Sequence, residues 1–392
     1  MRILVLGAGM YVTGRGGTVA GTVLSSIAET SRTLPVRDVL VVARSDENKG
    51  IVRESVSNIN ESLGTALQIR YMSNKGEGIE FLRGLLKKNH FDCAVIVLPD
   101  HLHYPFAKSL LMSGVHCLVV KPLTARRSEA IDLLGIQKRN KLLGVVEFHK
   151  RYDEANLFVK KCLGEKQLGK LLYFTVDFSQ RVNIPLEVFR GWATKTNVFQ
   201  YLGVHYVDLI FFLTEFRPVR LTATGTYGLL VSEGINNFDS IHAKILWQNP
   251  NDNEETFVSI FNTNWVDPRS TSAMSDQKYK VVGTMGRIEC DQKNRGIEWV
   301  QENVGIRHIN PYFSEYLPSP NGLMEFTGYG YRSISLFLRD VDRIKRKEIS
   351  PDQLEGFRPT FSQALVSTSV LDAVNRSLEN GSNWIAVDDL PG

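Results

Sequence analysis

The stretch RILVLGAGMYVTGR, residues 2–15, decides how this chain is read. Arg2–Leu6 is a short, almost wholly apolar run with strand character. Gly7 and Gly9 follow it with the spacing of the first two glycines of a G-x-G-x-x-G turn. The first allows a tight turn, and the second lets the backbone approach a pyrophosphate at a helix N-terminus. Val12 occupies the third position, so the match is partial. A glycine pair directly after the first strand of a chain points to a nucleotide. The same residues would also serve a strand-to-helix turn with no ligand. On the nucleotide reading, Met10 and Tyr11 lie against the cofactor. The following TGRGGTVAGT (residues 13–22) lengthens the phosphate-side loop before helical spacing resumes at Leu24–Ala28. Thr13 and Arg15 there either reach phosphate or lie in an exposed turn.

Outward from this turn, apolar runs alternate with helical patterns as far as His149. VRDVLVVARS, FDCAVIVLPD, GVHCLVVKP and KLLGVVEFH are strand-like. GIEFLRGLLKKN, YPFAKSLLMSG and SEAIDLLGIQKRN between them have helical period. Continuous apolar strands separated by helices predict a doubly wound, parallel Rossmann sheet covered on both faces. The expected first domain is residues 1–149. Residues 150–392 predict a second, α+β domain with a large, mostly antiparallel sheet, for substrate and oligomerisation. Helical stretches at 331–345 and 361–378 close it, with the C-terminal helix able to pack back on the first domain. The turn NGSN (380–383) stops the last helix.

Composition bounds the function. With 392 residues, 43% hydrophobic and 22% charged, the chain can build two cores. A net charge of +4 is too small and dispersed for a nucleic-acid partner. The basic run RIKRK (343–347) reads as a solvated helix end. The four cysteines are scattered without a C-x-x-C pair, so neither a disulfide framework nor a zinc site is expected, and no other metal is. No apolar run reaches the ~18 residues of a membrane span. The expectation is a soluble, cytoplasmic protein.

The second strand ends VVARSDENKG. Arg44 and Ser45 stand where an acidic residue would grip the ribose 2′-hydroxyl of NAD. A guanidinium and a hydroxyl suit a 2′-phosphate, so NADP is the preferred cofactor, with Asp46 one residue late for NAD. The stretch from Val95 to Thr124 then combines Pro99, His103, Gly114, His116 and Lys121-Pro122. In that combination it resembles the glucose–fructose oxidoreductase and inositol dehydrogenase family. EFHKRYDEANLFVKKCLGEK, QYLGVHYVDLIFFLT and VVGTMGRIECD resemble later parts of the same family, so the likeness covers nearly the whole chain.

The resemblance implies hydride transfer between nicotinamide and a carbohydrate-type hydroxyl. It makes Lys121 and His205 the catalytic pair. Alcohol oxidation needs a cation for the developing alkoxide and a base for the proton, which those side chains can supply. Leu98, Pro99, His103, Lys121 and Pro122 are implied beside the cofactor. Two departures stand out: Val120 replaces the glutamate before the lysine, and Tyr201 replaces an aspartate four residues before the histidine. Helical spacing puts Tyr201, His205 and Asp208 on one face. Tyr201 can bond substrate, act as an acid or form an aromatic wall.

His149, at the end of the last parallel strand, is a further candidate substrate contact. SQRVNIPLEVFRGWATKTNVFQ (179–200) reads as a binding loop, with Arg181 and Trp192 as substrate contacts and Arg190, Lys195 and Asn197 nearby. The expected substrate is a small carbohydrate, either anionic or neutral. An uncovered sheet face in the second domain suggests a homodimer or homotetramer. The competing readings are a non-catalytic dinucleotide-binding sensor or scaffold, and a nicotinamide-assisted lyase or glycosidase.

Overall fold

A computed structural model describes residues 1–15 and 19–388, and the Arg15 side chain, one candidate phosphate contact, lies outside what it describes. The chain forms two compact units.

The first unit comprises Met1–Thr124, Ser128–Asp153 and Tyr312–Ala364. Its apolar runs become β1 (Arg2–Leu6), β2 (Asp38–Ala43), β3 (Ile69–Ser73), β4 (Cys93–Ile96), β5 (His116–Val120) and β6 (Gly144–Glu147). They pair in parallel in the order β3-β2-β1-β4-β5-β6, the Rossmann arrangement. β1 and β4 to β6 are buried along nearly their whole length, because crossover helices cover both faces.

The first helix is interrupted. α1 (Met10–Thr13) stops at Gly14, a two-strand hairpin intervenes, and α2 (Thr22–Ser31) starts at Gly21. A Cβ on Gly21 would overlap the backbone of Val12–Gly14, so glycine lets the second piece abut the first. Gly14 and Gly21 thus bound an insertion within the phosphate-side helix.

Residues 312–364, which sequence patterning groups with the second domain, belong to the first unit. The reason is burial. α3 (Tyr329–Lys345) is amphipathic, and its Ile334, Phe337, Leu338 and Val341 join Val23, Leu24, Ile27 and Val39 in one core. Next to it, the Val146 amide donates to Pro359 O at 2.8 Å.

The second unit comprises Ala125–Arg127, Glu154–Pro311 and the described residues from Leu365 on. Its seven-stranded sheet contains β7 (Leu171–Arg181), β8 (Arg217–Thr226), β9 (Ser240–Asn249), β10 (Asp252–Asp267), β11 (Ser275–Gly283), β12 (Gly286–Asp291) and β13 (Ile385–Ala386). Their order is β12-β11-β7-β10-β9-β8-β13. All pairs are antiparallel except β7 with β10. Alternation puts Phe174, Val176, Phe178, Phe257, Phe261 and Trp265 on the buried face. The other face carries a polar ladder. His242 Nδ1 lies 2.9 Å from Asn262 Oδ1, and the Asn262 amide donates to Asp177 Oδ1 at 2.9 Å. Ile260 is exposed beside it.

Candidate active site

The carboxyl edge of the first unit's sheet gathers most of the candidate residues. Gly7 leaves β1 at φ +109°, and a Cβ there would overlap the Val97 carbonyl oxygen, so packing alone demands glycine. Gly9 differs: nothing lies within 4 Å of where its Cβ would stand. That open space is what a close backbone approach to a pyrophosphate requires. Arg44 directly follows β2 and is exposed, and its guanidinium has no hydrogen bond or ion pair among the described residues. Ser45 Oγ donates to Glu47 Oε2 at 3.4 Å, and Tyr71 Oη donates to the Ser45 carbonyl. An open cradle at Gly9 and an unengaged cation one strand over fit a dinucleotide.

β4 runs out into Leu98 and Pro99, and β5 into Lys121 and Pro122, whose peptide bond is cis. His103 joins these two strand ends. Fully buried, its Nδ1 lies 2.7 Å from Pro122 O and its Nε2 2.8 Å from Leu98 O. Both nitrogens of this ring face backbone carbonyls. Its visible role is therefore to hold the turn that carries Lys121. His116 is likewise internal: its Nδ1 accepts from the Leu143 amide at 2.8 Å, and burial pushes the ring down to about 4. Burial also pushes the Lys121 ammonium down to about 8, while the carboxylates of Asp100 and Glu147 pull it upward.

Glu147 is the residue that sequence reading missed. It ends β6 in register with Val120 and is 2% exposed. His149 Nδ1 donates to its Oε2 at 2.9 Å. The His149 ring stacks on Tyr329 at 5.6 Å and tilts against Phe313 at 5.0 Å. Glu147 Oε1 and Tyr11 Oη are both fully buried, with the Tyr11 hydroxyl directed at the Glu147 carboxylate. Burial, followed by the Glu147 charge, holds the Tyr11 phenol well above its ordinary range. The available signal was an acid closing an otherwise apolar four-residue strand.

In the second unit, His205 lies near the start of α4 (Val204–Thr214), a helix buried almost all round. His205 is 7% exposed, with the Phe178 ring 6.2 Å away. Tyr201 precedes it in a π-helical turn, Phe199–Gly203. Such a turn closes i→i+5 rather than i→i+4, a local widening of the helix just before His205. The Tyr201 ring packs with Phe189 at 5.0 Å, Trp265 at 6.2 Å and Trp192 at 6.4 Å. The ring therefore stands in an aromatic cluster. Asp208 is buried on the same helix. Arg181 is engaged: its Nε donates to Thr271 Oγ1 at 3.1 Å, and its Nη2 to the Thr271 carbonyl. Arg190 Nη2 donates to Glu233 O at 2.9 Å. The expected cluster of cations on this loop is thus partly committed to the protein's own backbone.

Among the described residues no group of His, Cys, Asp and Glu side chains could hold a metal ion, and no helix is long and apolar enough to cross a membrane.

Comparison with known proteins agrees with this architecture. The chain is 28% identical over 134 residues to the UDP-N-acetylglucosamine 3-dehydrogenase of Acidithiobacillus ferrooxidans, covering 34% of this chain and 39% of that one. It is 25% identical over 118 residues to the NADP(+)-dependent scyllo-inositol 2-dehydrogenase of Bacillus subtilis, covering 30% and 33%. The chain thus spans about a third of the length of the curated relatives it matches. A Lactobacillus casei scyllo-inositol dehydrogenase structure, with bound NAD(H) and scyllo-inositol, shares the fold. It has a TM-score of 0.66 and 14% identity over 99% of both chains. Residues 1–148 match the oxidoreductase family with NAD-binding Rossmann fold, and residues 157–289 match the GFO/IDH/MocA C-terminal domain. On both matches, the chain belongs to the GFO/IDH/MocA oxidoreductase family.

Proposed function

We propose that the chain is an NAD(P)-dependent oxidoreductase. It moves hydride between nicotinamide and a hydroxyl or ketone carbon of a sugar, nucleotide sugar or cyclitol, with NADP preferred. The observation that carries this reading is Lys121. A lysine ends a buried strand at the sheet edge where α/β folds bind ligands, and burial holds it near a working pKa. Relatives named as sugar and inositol dehydrogenases support the substrate class.

The nicotinamide, when bound, supplies the hydride acceptor or donor. Gly7, Gly9, Met10 and Tyr11 would hold the pyrophosphate side, and Arg44 and Ser45 the 2′-phosphate. Leu98, Pro99, His103 and Pro122 would shape the nicotinamide side. Lys121 donates N–H bonds to the oxygen on which charge develops. His205 takes or returns the hydroxyl proton at a ring nitrogen. Trp192 and Tyr201 offer aromatic faces to a sugar ring, and His149 a polar contact. Arg181 shapes the substrate side through the loop around Thr271. As a homodimer or homotetramer, the protein would use the uncovered sheet face, which light scattering of the purified chain measures.

The test is a panel of nucleotide sugars, free sugars and inositols with NAD and NADP, followed by nicotinamide absorbance. Turnover with at least one substrate, faster with NADP, is expected. Tight dinucleotide binding with no absorbance change across the panel would overturn the dehydrogenase reading in favour of a sensor.

A further inference from the structure

Glu147 is a buried carboxylate with a specific setting. It is 2% exposed at the end of β6, and its backbone pairs in register with Val120. Neighbouring strands lie about 4.8 Å apart, so its backbone is one strand from the residue bonded to Lys121. One oxygen receives His149 Nδ1–H at 2.9 Å, and the other, Oε1, is fully buried. An ionised carboxylate is costly to bury unless a cation or donors compensate it.

The groups around it come from several elements. Tyr11 on α1, Tyr152 after β6 and Tyr329 on α3 are phenol rings, with the Tyr11 hydroxyl directed at the carboxylate, and His149, also after β6, pairs with it as a cation when protonated. Asp100, after β4, is a second acid facing Lys121. Lys121 is the cation on which both acids act.

We propose that Glu147 is a positioning residue, a carboxylate on β6 that supplies the counter-charge for Lys121 on the adjacent strand end, where Val120 offers none. This deepens the dehydrogenase reading and rests on it for Lys121's catalytic role. The counter-charge keeps the lysine protonated, and so able to donate to a developing alkoxide, nearer neutral pH than burial alone would allow.

The experiment is a pH titration of Lys121 in the full-length, ligand-free chain. Lysines carry ¹³C-methyl groups, and the Lys121 resonance is assigned by its loss in K121R. E147Q keeps the shape and a hydrogen-bond acceptor for His149 but removes the charge. The Lys121 midpoint is expected to fall by about one pH unit. An unchanged midpoint in E147Q, with D100N still lowering it, overturns the proposal. The double variant V120E/E147Q approaches from the other strand and serves equally if E147Q alone folds poorly. Its midpoint is expected within a few tenths of a unit of the wild-type value, and a midpoint as low as that of V120A/E147Q counts against the proposal. The titration needs no substrate. A chain that turns nothing over but shows the shift defeats the dehydrogenase reading alone, whereas turnover with no shift defeats the positioning role alone.

Discussion

The sheet edge of the first unit and the histidine region of the second hold their polar groups by different means. At the sheet edge, strand register does the positioning. Val120 pairs with Glu147, His103 spans the carbonyls of Leu98 and Pro122, and Gly7 fits under Val97. In the second unit, rings do it. Phe178 lies by His205, and Phe189, Trp192 and Trp265 surround Tyr201 across a π-helical turn. Register is unforgiving, because a hydrogen-bonded ladder has discrete states. Ring packing tolerates small shifts, because its contacts are many and individually weak. Substitutions at the sheet edge should therefore cost more than those in the aromatic wall.

The largest effect is expected at Lys121. Lys121→Ala should lower turnover about 10³-fold while dinucleotide affinity changes only severalfold, read by steady-state kinetics and fluorescence titration. The ammonium is present below about pH 8 and lost above it, because burial lowers its pKa from 10.5. Wild-type kcat/KM should accordingly fall as pH rises through 8. A flat profile would remove Lys121 from the chemistry. Gly7→Ala should destabilise the chain by about 3 kcal/mol, through both the left-handed φ and the overlap with Val97, as urea unfolding would show.

His205→Asn should lower kcat about 10²-fold and remove one limb of its pH profile. A comparable loss in Tyr201→Phe would make the tyrosine the acid and break the contrast. His116 contributes a pH-dependent part of stability. Its folded pKa of about 4 lies below the unfolded 6.5, so the unfolded chain binds the extra proton first. Stability should fall as pH drops from 6.5 toward 4, by up to about 3 kcal/mol. His116→Asn should flatten that slope in unfolding midpoints measured across the range. The smallest effect belongs to the aromatic wall: Tyr201→Phe should leave kcat and KM within about threefold of wild type, since the ring is retained.

These contrasts also explain what could be read in advance. Parallel strands, the glycine turn and the lysine at β5 were legible because apolar runs and turn glycines are local signals. Glu147 was not, because its meaning comes from cross-strand register with Val120, which no window of sequence contains. The π turn at Phe199–Gly203 was illegible for a related reason, since it leaves no periodic mark. The bonds from Arg181, read as a substrate contact, to Thr271 were not legible because Thr271 lies 90 residues away. The parallel pairing of β7 with β10 depends on long-range topology in the same way.

The return of residues 312–364 to the first unit bears on how the protein is made. During synthesis the parallel sheet emerges early, yet Ile334, Phe337, Leu338 and Val341 complete its core. Until the ribosome has passed residue 341, and the rest of that helix has cleared the exit tunnel, a nascent sheet carries an uncovered apolar face. Chaperones would have their longest opportunity to bind during that interval. A fragment ending at residue 149 would be released with the same face exposed, and should aggregate where a fragment rejoined to residues 312–364 would not.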